Sequence, residues 1–262
     1  MIDYYVLIPG IILAAMFGLV IGSFLNVCIY RLPKKESLVT VPSHCMKCGT
    51  QLHWYELIPL FSWLALRGKC RTCKTPISPQ YPIIEASNMV AYVLVILING
   101  VNLTSCLYCL LASCLIVLSV IDARTQEIPI EINITIAVLG LIETVYVFIV
   151  NRSDIWNHVL GIFIPSLPMF LIVLIAYALF KVEVFGMGDI KLLAAAGFLI
   201  GWKNVLLAFF LGCIAGSIIH MIRMMTTKED HVLAFGPYLA GGIFICALWG
   251  DAMIGWYLRL FM

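Results

Sequence analysis

Charge is scarce in this sequence. Only 11% of its 262 residues are charged, and the formal net charge is +2. Soluble domains carry about 25% charged residues, and so small a net charge creates no field that would attract a nucleic acid. Hydrophobic residues make up 63% of the chain instead. One globular core cannot hide this excess. The composition therefore excludes a soluble enzyme, a disordered tail and a secreted disulfide scaffold, and it indicates a membrane protein.

Two common sequence signals are also missing. The first five residues contain Asp3 and no basic residue, and the apolar run that follows is too long for a cleaved signal peptide. We therefore expect this run to remain as a membrane helix. No Gly-rich fingerprint of the Rossmann type is present, so no motif of this kind identifies a cofactor site.

Long apolar runs predict an all-α polytopic membrane fold. A spanning helix needs about 20 apolar residues. Seven runs approach that length: Val6–Tyr30, Ile83–Ile98, Leu103–Ile121, Ile132–Val150, Val159–Phe180, Val205–Met225 and Val232–Trp249. An eighth run, Ile190–Ile200, is either a truncated spanning helix or a re-entrant piece beside a polar site. We favour about eight transmembrane helices.

The basic residues predict the sidedness of the chain. Half of the sixteen Lys and Arg residues fall between Arg31 and Lys74, directly after the first span. With the N-terminus outside and eight crossings, thirteen basic residues lie inside and three outside, as the positive-inside rule requires. The count is the same if Ile190–Ile200 is re-entrant, so charge alone does not decide that segment.

The ten cysteines fall into two groups. Four of them form two C-x-x-C pairs, which are 21 residues apart: Cys45, Cys48, Cys70 and Cys73. Two such pairs can present four thiolates to a tetrahedral Zn²⁺. The other six cysteines lie in apolar runs, where cysteine behaves as a small hydrophobe. We predict a structural zinc site on the cytosolic side, where structural disulfides are disfavoured; the alternative is a set of reduced or redox-active thiols.

Two aspartates stand at the ends of apolar runs. Asp122 follows the run that ends at Ile121, and Asp189 stands in Gly186-Met-Gly-Asp189. An ionisable residue beside a membrane span suggests function. Two carboxylates in one site of low dielectric share a proton, which is what peptide hydrolysis by an aspartic dyad needs. The alternatives are ordinary: Asp122 pairs with Arg124 or caps the next helix, and Asp189 caps its own helix or pairs with Lys191.

Several motifs in order then resemble one family. They are Gly22-Ser-Phe-Leu-Asn-Val-Cys-Ile-Tyr-Arg-Leu-Pro33, Trp54-Tyr-Glu-Leu-Ile-Pro59, Arg67-Gly-Lys-Cys70, Ile77-Ser-Pro-Gln-Tyr-Pro-Ile-Ile-Glu85, Ile121-Asp122 with Ile128-Pro129, Gly186-Met-Gly-Asp-Ile-Lys-Leu-Leu193 and Ala234-Phe-Gly-Pro237. Over nearly its whole length the chain resembles the bacterial type IV prepilin peptidases, which are aspartic intramembrane proteases.

The resemblance implies that Asp122 and Asp189 are the catalytic dyad. It implies cleavage of the basic leader of type IV prepilins or pseudopilins at the cytosolic face of the bacterial inner membrane. Family members with the four-cysteine loop are commonly bifunctional and also methylate the new N-terminal amine with S-adenosylmethionine. The resemblance makes Gly68 and Lys69 candidates for that cofactor site. Prepilin and membrane lipid are the expected partners, and nucleic acid is not.

The sequence departs from the family at one place. Many members carry an Asp after the Ile-Pro pair, whereas Ile130 and Glu131 follow here. That Asp is not catalytic in the family pattern, so the departure affects substrate preference or helix capping rather than activity.

The sequence also predicts three regions with different roles along the chain. We divide it into a first transmembrane helix (residues 1–30), a cytosolic zinc-binding loop domain associated with methyl transfer (31–81) and a transmembrane peptidase bundle (82–262). The alternatives are a proton-coupled transporter or channel with a regulatory zinc loop, and a zinc-loop scaffold without catalysis. A relay needs a chain of ionisable groups across the membrane, and only Glu143 and His220 lie well inside the predicted spans.

Overall fold

Helices make up the architecture of the protein in a computed structural model, which describes residues 4–150, 155–181, 186–226 and 234–260. The α-helices are α1 (Tyr4–Arg31), α2 (Phe61–Ala65), α3 (Gln80–Asn99), α4 (Leu103–Thr125), α5 (Ile130–Val150), α6 (Ile155–Phe180), α7 (Met187–Ile200), α8 (Trp202–Thr226) and α9 (Gly236–Arg259). One short 3₁₀ helix covers Trp54–Leu57. The described ranges contain no β-strand, only two isolated bridges. The predicted all-α membrane fold is confirmed.

Seven of these helices are long and apolar enough to cross a membrane: all of them except α2 and α7. The helix α7 has 14 residues, which corresponds to about 21 Å at 1.5 Å per residue. The hydrocarbon core is about 30 Å thick. The segment Ile190–Ile200, predicted as the eighth crossing, is therefore the main part of a real but short helix.

The last predicted span needs a correction. The run Val232–Trp249 was expected to be helical, but α9 covers Gly236–Arg259, and residues 232 and 233 lie outside the described ranges. Asp251 interrupts the apolar run and made the helix look shorter. In the structure its carboxylate accepts a hydrogen bond of 3.1 Å from the Asn204 side chain, so the charged residue is accommodated within the helix.

The chain divides into two compact units, residues 1–117 and 118–262, and the boundary falls within α4. In the first unit, α1 packs closely on α3 through two glycines. A Cβ atom at Gly18 would lie 2.7 Å from Met89 Cα, and one at Gly22 would lie 2.8 Å from Glu85 Cα. The spacing Gly18-x-x-x-Gly22 therefore serves contact between two helices of the same chain.

In the second unit, α7 is surrounded by other helices. Its side chains at Leu192, Leu193, Ala196 and Leu199 are fully buried, and it contacts α5, α6, α8 and α9. This burial explains why an apolar segment of only 14 residues is a stable helix, because packing against the neighbouring helices stabilises a helix of this length.

The direction of α7 follows from its contacts with α5. Near the start of both helices, the Asn133 side chain donates to the carbonyl of Gly188 at 3.5 Å. Further along both, a Cβ at Gly140 would lie 3.0 Å from the backbone of Phe198. The two helices therefore run parallel. Because α5 is a candidate membrane span, a parallel α7 carries the chain in the same direction.

Candidate active site and metal centre

Asp122 lies in the last turns of α4 and is buried. Its Oδ2 accepts a hydrogen bond of 2.9 Å from the backbone N–H of Gly236. Gly236 is the first residue of α9. Its N–H has no acceptor within the helix and donates to the carboxylate instead. A Cβ at Gly236 would lie 2.7 Å from the same oxygen. The position next to Asp122 therefore has room for glycine and for no larger residue.

Asp189 lies in the first turn of α7 and is also buried. The N-cap residue is Gly186, and no side chain caps the helix. Asp189 therefore does not serve as the helix cap that was one of its ordinary alternatives. Its Oδ1 atom is buried without a hydrogen-bond partner. A buried acceptor left unpaired is costly, and such a group suggests a site that is completed by a ligand.

The glycines around Asp189 provide space rather than unusual backbone conformation. A Cβ at Gly188 would lie 2.9 Å from Ile128 Cβ, and one at Gly186 would lie 3.3 Å from Asp189 Oδ2. The φ angle of Gly186 is −65°, and neither residue has a positive φ. The two glycines therefore allow a close approach of the Ile128 side chain and of the Asp189 carboxylate to the backbone.

Asp122 and Asp189 lie close enough for their charges to repel each other. They come from helices that are 67 residues apart in sequence, and both are buried. Two buried carboxyl groups in such an arrangement do not ionise independently. The geometry fits general acid–base chemistry on a bound group.

Asn133 could not be predicted from the sequence as a member of this site. This residue lies in α5, is buried, and donates to the carbonyl of Gly188, the residue before Asp189. Its Oδ1 has no partner. A second unpaired acceptor therefore stands near the aspartates. Neither Asn133 nor Gly236 could be identified without the fold, because an Asn in an apolar run and a Gly before a Pro are common features.

The four cysteines predicted as metal ligands come together in the first unit. Their Sγ atoms, from Cys45, Cys48, Cys70 and Cys73, all lie within 4.8 Å of one another. The Sγ atoms of Cys45 and Cys73 are 3.8 Å apart. A tetrahedral site with Zn–S bonds of about 2.3 Å places its sulfurs about 3.8 Å apart. The cluster is therefore compatible with zinc, and none of the four forms a disulfide.

Each cysteine pair sits in a tight turn of the same design. The N–H of Cys45 bonds to the carbonyl of Thr50, and that of Cys70 bonds to Thr75. The residue after each pair has a left-handed backbone: φ is +71° at Gly49 and +56° at Lys74. Glycine adopts this conformation without cost. Two equivalent turns thus point four thiols at one place.

One of the four thiols is electrostatically distinct. Hydrogen bonds from Thr75, through its side chain and its backbone, lower the pKa of the Cys73 thiol to about 6. The thiolate is the form that binds a metal. Cys73 therefore carries charge at neutral pH without a metal beside it.

Gly68 and Lys69, the candidates for the methyl-donor site, lie just before the second cysteine pair. Gly68 has a φ of +65°, and a Cβ there would lie 2.8 Å from the Trp63 ring. Lys69 forms an isolated bridge with Pro76. Both residues thus have defined local contacts within the turn.

Comparisons with known proteins identify two family regions in the chain. Residues 16–98 match the model of the bacterial peptidase A24 N-terminal domain, and residues 109–221 match the type IV leader peptidase family. The first range includes the four cysteines, and the second includes both aspartates. No solved structure is significantly similar to the chain.

Individual relatives match over nearly the full length of the chain. A protein of Stutzerimonas stutzeri is 32% identical over 95% of this chain and 94% of its own. One of Pectobacterium carotovorum is 35% identical over 87% and 90%, and one of Pseudomonas aeruginosa is 32% identical over 93% and 92%. All three are named prepilin leader peptidase/N-methyltransferase. The chain, a multi-pass membrane protein, belongs to the type IV leader peptidase family of aspartic peptidases.

Proposed function

We propose that this enzyme cleaves the leader peptide of type IV prepilins or pseudopilins with Asp122 and Asp189 as its catalytic dyad. The observation that carries the proposal is the pair of buried, mutually repelling carboxyl groups within the family's peptidase region. The names of the relatives supply the substrate class.

The surroundings of the two aspartates suggest their roles. Asp122 accepts the N–H of Gly236 at the start of a helix, which stabilises a carboxylate. Asp189 faces that negative charge with an unpaired, buried oxygen, which favours its protonated form. We therefore assign Asp122 as the carboxylate that takes a proton from the attacking water during the reaction. Asp189 donates a hydrogen bond to the scissile carbonyl and thus stabilises the developing oxyanion.

The unpaired acceptor of Asn133 has a use in this scheme. Its Oδ1 can accept a hydrogen bond from the lytic water or from a peptide N–H of the substrate. Asn133 is held in turn by its bond to the carbonyl of Gly188. We propose that it orients one of these groups beside the dyad.

We further propose that the enzyme methylates the new N-terminal amine and that S-adenosylmethionine donates the methyl group. The relatives' names include N-methyltransferase. A sulfonium donor carries a positive charge, and the first unit contains a buried carboxylate, Glu85, so this unit can accommodate the positive charge of the donor and of the amine that it methylates. When bound, the donor supplies an activated methyl group.

Zinc is the metal that best fits the four cysteines. Four thiolates at tetrahedral spacing form a closed structural site, with no position open for a substrate. We propose that zinc holds residues 31–81 in the fold required for methyl transfer, and that the bundle of residues 82–262 contains the aspartates that carry out proteolysis. The positive-inside count places the four-cysteine segment and the two aspartates at the cytosolic face of the inner membrane, with the N-terminus outside.

The test of the peptidase proposal is cleavage of a prepilin by membranes that contain Asp122→Asn or Asp189→Asn protein. Each change removes a charge and a proton site with little change of shape. We expect each to lower the cleavage rate by about a thousandfold or more, since general acid–base groups contribute about 10²–10⁴ each. Asp251→Asn is the matched control, because Asp251 lies on α9 and bonds Asn204 rather than substrate. Near-normal cleavage by either dyad variant would contradict the proposal.

A further inference from the structure

A buried carboxylate lies in the first unit, apart from the aspartates and the cysteines. Glu85 of α3 is only 6% exposed, and no other carboxylate is buried among residues 4–117. Its Oε2 accepts a hydrogen bond of 2.7 Å from the backbone N–H of Leu60, and the Ser23 hydroxyl also hydrogen-bonds it. These two donors leave acceptor capacity on the carboxylate, which can accept about four hydrogen bonds.

A second acceptor, Asn26 of α1, lies about one helical turn from Glu85 along the contact between α1 and α3. It is 3% exposed, and its Nδ2 donates to the carbonyls of Gly22 and Tyr81, each at 3.3 Å. Because both of these partners are acceptors, they fix which end of the amide carries the nitrogen. The Oδ1 atom is then left buried without any partner.

The contacts of Gly22 bring the two side chains together. Asn26 bonds the carbonyl of Gly22, and Gly22 packs so closely that a Cβ on it would lie 2.8 Å from Glu85 Cα. Tyr81, the other partner of Asn26, precedes Glu85 by one helical turn. The acceptors therefore gather near the N-terminal end of α3, which directly follows the four-cysteine segment.

The chemistry of this cluster indicates its ligand. A buried carboxylate with remaining acceptor capacity and a buried amide oxygen without a donor are complementary to a cation that carries several N–H groups. The proposed reaction generates such a cation, because leader removal creates a new N-terminal ammonium. Methyl transfer to that amine requires the loss of a proton, since only the neutral nitrogen has a lone pair.

We propose that Glu85 and Asn26 bind the N-terminal amine of the processed substrate and that Glu85 accepts its proton. This inference rests on the proposed methyl transfer. The proton moves from the ammonium to the Glu85 carboxylate. The neutral nitrogen then attacks the methyl carbon of a sulfonium donor: the N–C bond forms, the C–S bond breaks, and the electron pair stays on sulfur. The product is a secondary ammonium, and Glu85 returns its proton to water.

The first test measures methyl transfer to a leaderless peptide, so that proteolysis does not enter. Glu85→Gln keeps an oxygen for the N–H of Leu60 but removes the charge and the base. We expect its methylation rate to fall about a hundredfold, with prepilin cleavage within about twofold of wild type. If Glu85 only holds Leu60 in place, the variant methylates at the normal rate and the proposal is overturned.

A matched pair of variants separates binding from packing. Asn88 of α3 is also buried, but both ends of its amide form hydrogen bonds. Its nitrogen donates to the carbonyl of Gly18, and its oxygen accepts from the hydroxyl of Ser113. We expect Asn26→Leu to lose methyl transfer, whereas Asn88→Leu loses thermal stability and keeps the activity of its folded fraction. Equal loss of activity in both variants would show that Asn26 matters only for packing.

The second test measures binding rather than activity. Its probes are a synthetic apolar peptide with a free N-terminal amine and the same peptide acetylated at that amine. Wild-type protein in detergent should bind the free amine at least about tenfold more tightly, and Glu85→Gln should bind both peptides equally. Equal binding of both peptides by the wild type would overturn the proposal.

The two tests distinguish a failure of the proposed methyl transfer from a failure of the proposed amine site. A wild-type enzyme that binds the free amine selectively but transfers no methyl group would contradict the proposed methyl transfer and support the amine site. A wild type that methylates, beside a Glu85→Gln variant that methylates equally well, would contradict the amine site alone. Zinc content of each variant reports whether the four-cysteine part of the first unit has folded. If the variants do not fold, the comparison of the free and acetylated peptides with wild-type protein still tests the amine site.

Discussion

Gly236 contributes to the candidate active site through its backbone rather than through a side chain. Its N–H donates to Asp122 Oδ2 at 2.9 Å, and the absence of a Cβ allows the approach. A carboxylate that must take a proton from water needs a fixed position as well as charge. In the proposed mechanism the glycine is therefore part of the catalytic geometry.

Gly236→Ala tests this role. Its methyl group would lie 2.7 Å from Asp122 Oδ2, so the carboxylate must shift, and a misplacement of about 1 Å can cost about a hundredfold in rate. We expect a cleavage rate about a hundredfold below wild type. Gly241→Ala on the same helix is the control, because nothing lies within 4 Å of a Cβ there. Equal rates for the two variants would show that Gly236 has no such role.

The thiol of Cys73 gives a prediction about pH. Its pKa is lowered to about 6, so about nine-tenths is thiolate at pH 7 and about one-tenth at pH 5. In metal-free protein we therefore expect alkylation of Cys73 by iodoacetamide to slow about tenfold between these pH values. A thiol with the ordinary pKa of about 8.5 slows about a hundredfold. Peptide mapping by mass spectrometry after short exposures distinguishes the two outcomes.

If the proposed zinc site is correct, the two cysteine turns are the structural elements that depend most on the bound ion. Their backbone hydrogen bonds join residues that are close in sequence, such as Cys45 N–H to the carbonyl of Thr50 and Cys70 N–H to the carbonyl of Thr75. The segment around them has only two short helices, Trp54–Leu57 and Phe61–Ala65, and neither contains a buried residue. A metal thus replaces the apolar core that this segment lacks.

Metal removal should loosen this element selectively. We expect a chelator to raise amide hydrogen exchange in residues 43–52 and 68–77 by at least about tenfold and to leave α3 unchanged. Wild-type protein should carry about one zinc per chain, and Cys45→Ser should lower that content. Cys106→Ser is the control, because Cys106 lies on α4 outside the cluster. Unchanged exchange after complete metal removal would contradict a structural role for zinc.

The sequence predicted elements better than it predicted contacts. Apolar runs located the long helices because lipid demands a continuous apolar surface, as for Leu103–Thr125. Spacing alone predicted the cysteine cluster, because both C-x-x-C pairs lie in local turns. The bond from Gly236 to Asp122 joins residues 114 apart in sequence, and no local pattern encodes such a pair. The unpaired oxygens of Asn26 and Asn133 depend in the same way on the packed helices.

At the scale of the whole molecule, α7 determines where the C-terminal helices lie. Asp189 lies in its first turn, near Asp122, and the helix ends at Ile200, shortly before α8 begins at Trp202. The start of α9 contacts Asp122 again, so α8 returns the chain to the level of the aspartates. This path requires α7 to carry the chain away from that level despite its 14 residues.

Reporter fusions can test this path. With the N-terminus outside, eight crossings place the C-terminus outside, and seven place it inside. We expect a reporter at the C-terminus to be active only as an extracytoplasmic fusion, and one inserted after residue 228 to be active only as a cytoplasmic one. A fusion after residue 50 should be cytoplasmic under either count and serves as the control. A cytoplasmic C-terminus would show that α7 is re-entrant.

The contact between Gly236 and Asp122 also bears on the biosynthesis of the enzyme. A ribosome produces both aspartates before it produces α9, whose first residue orients Asp122. A nascent chain that ends before residue 236 therefore contains the two acidic groups without the donor that positions one of them. Proteolytic activity should begin only after the final helix has been translated and inserted, which delays cutting by unfinished chains.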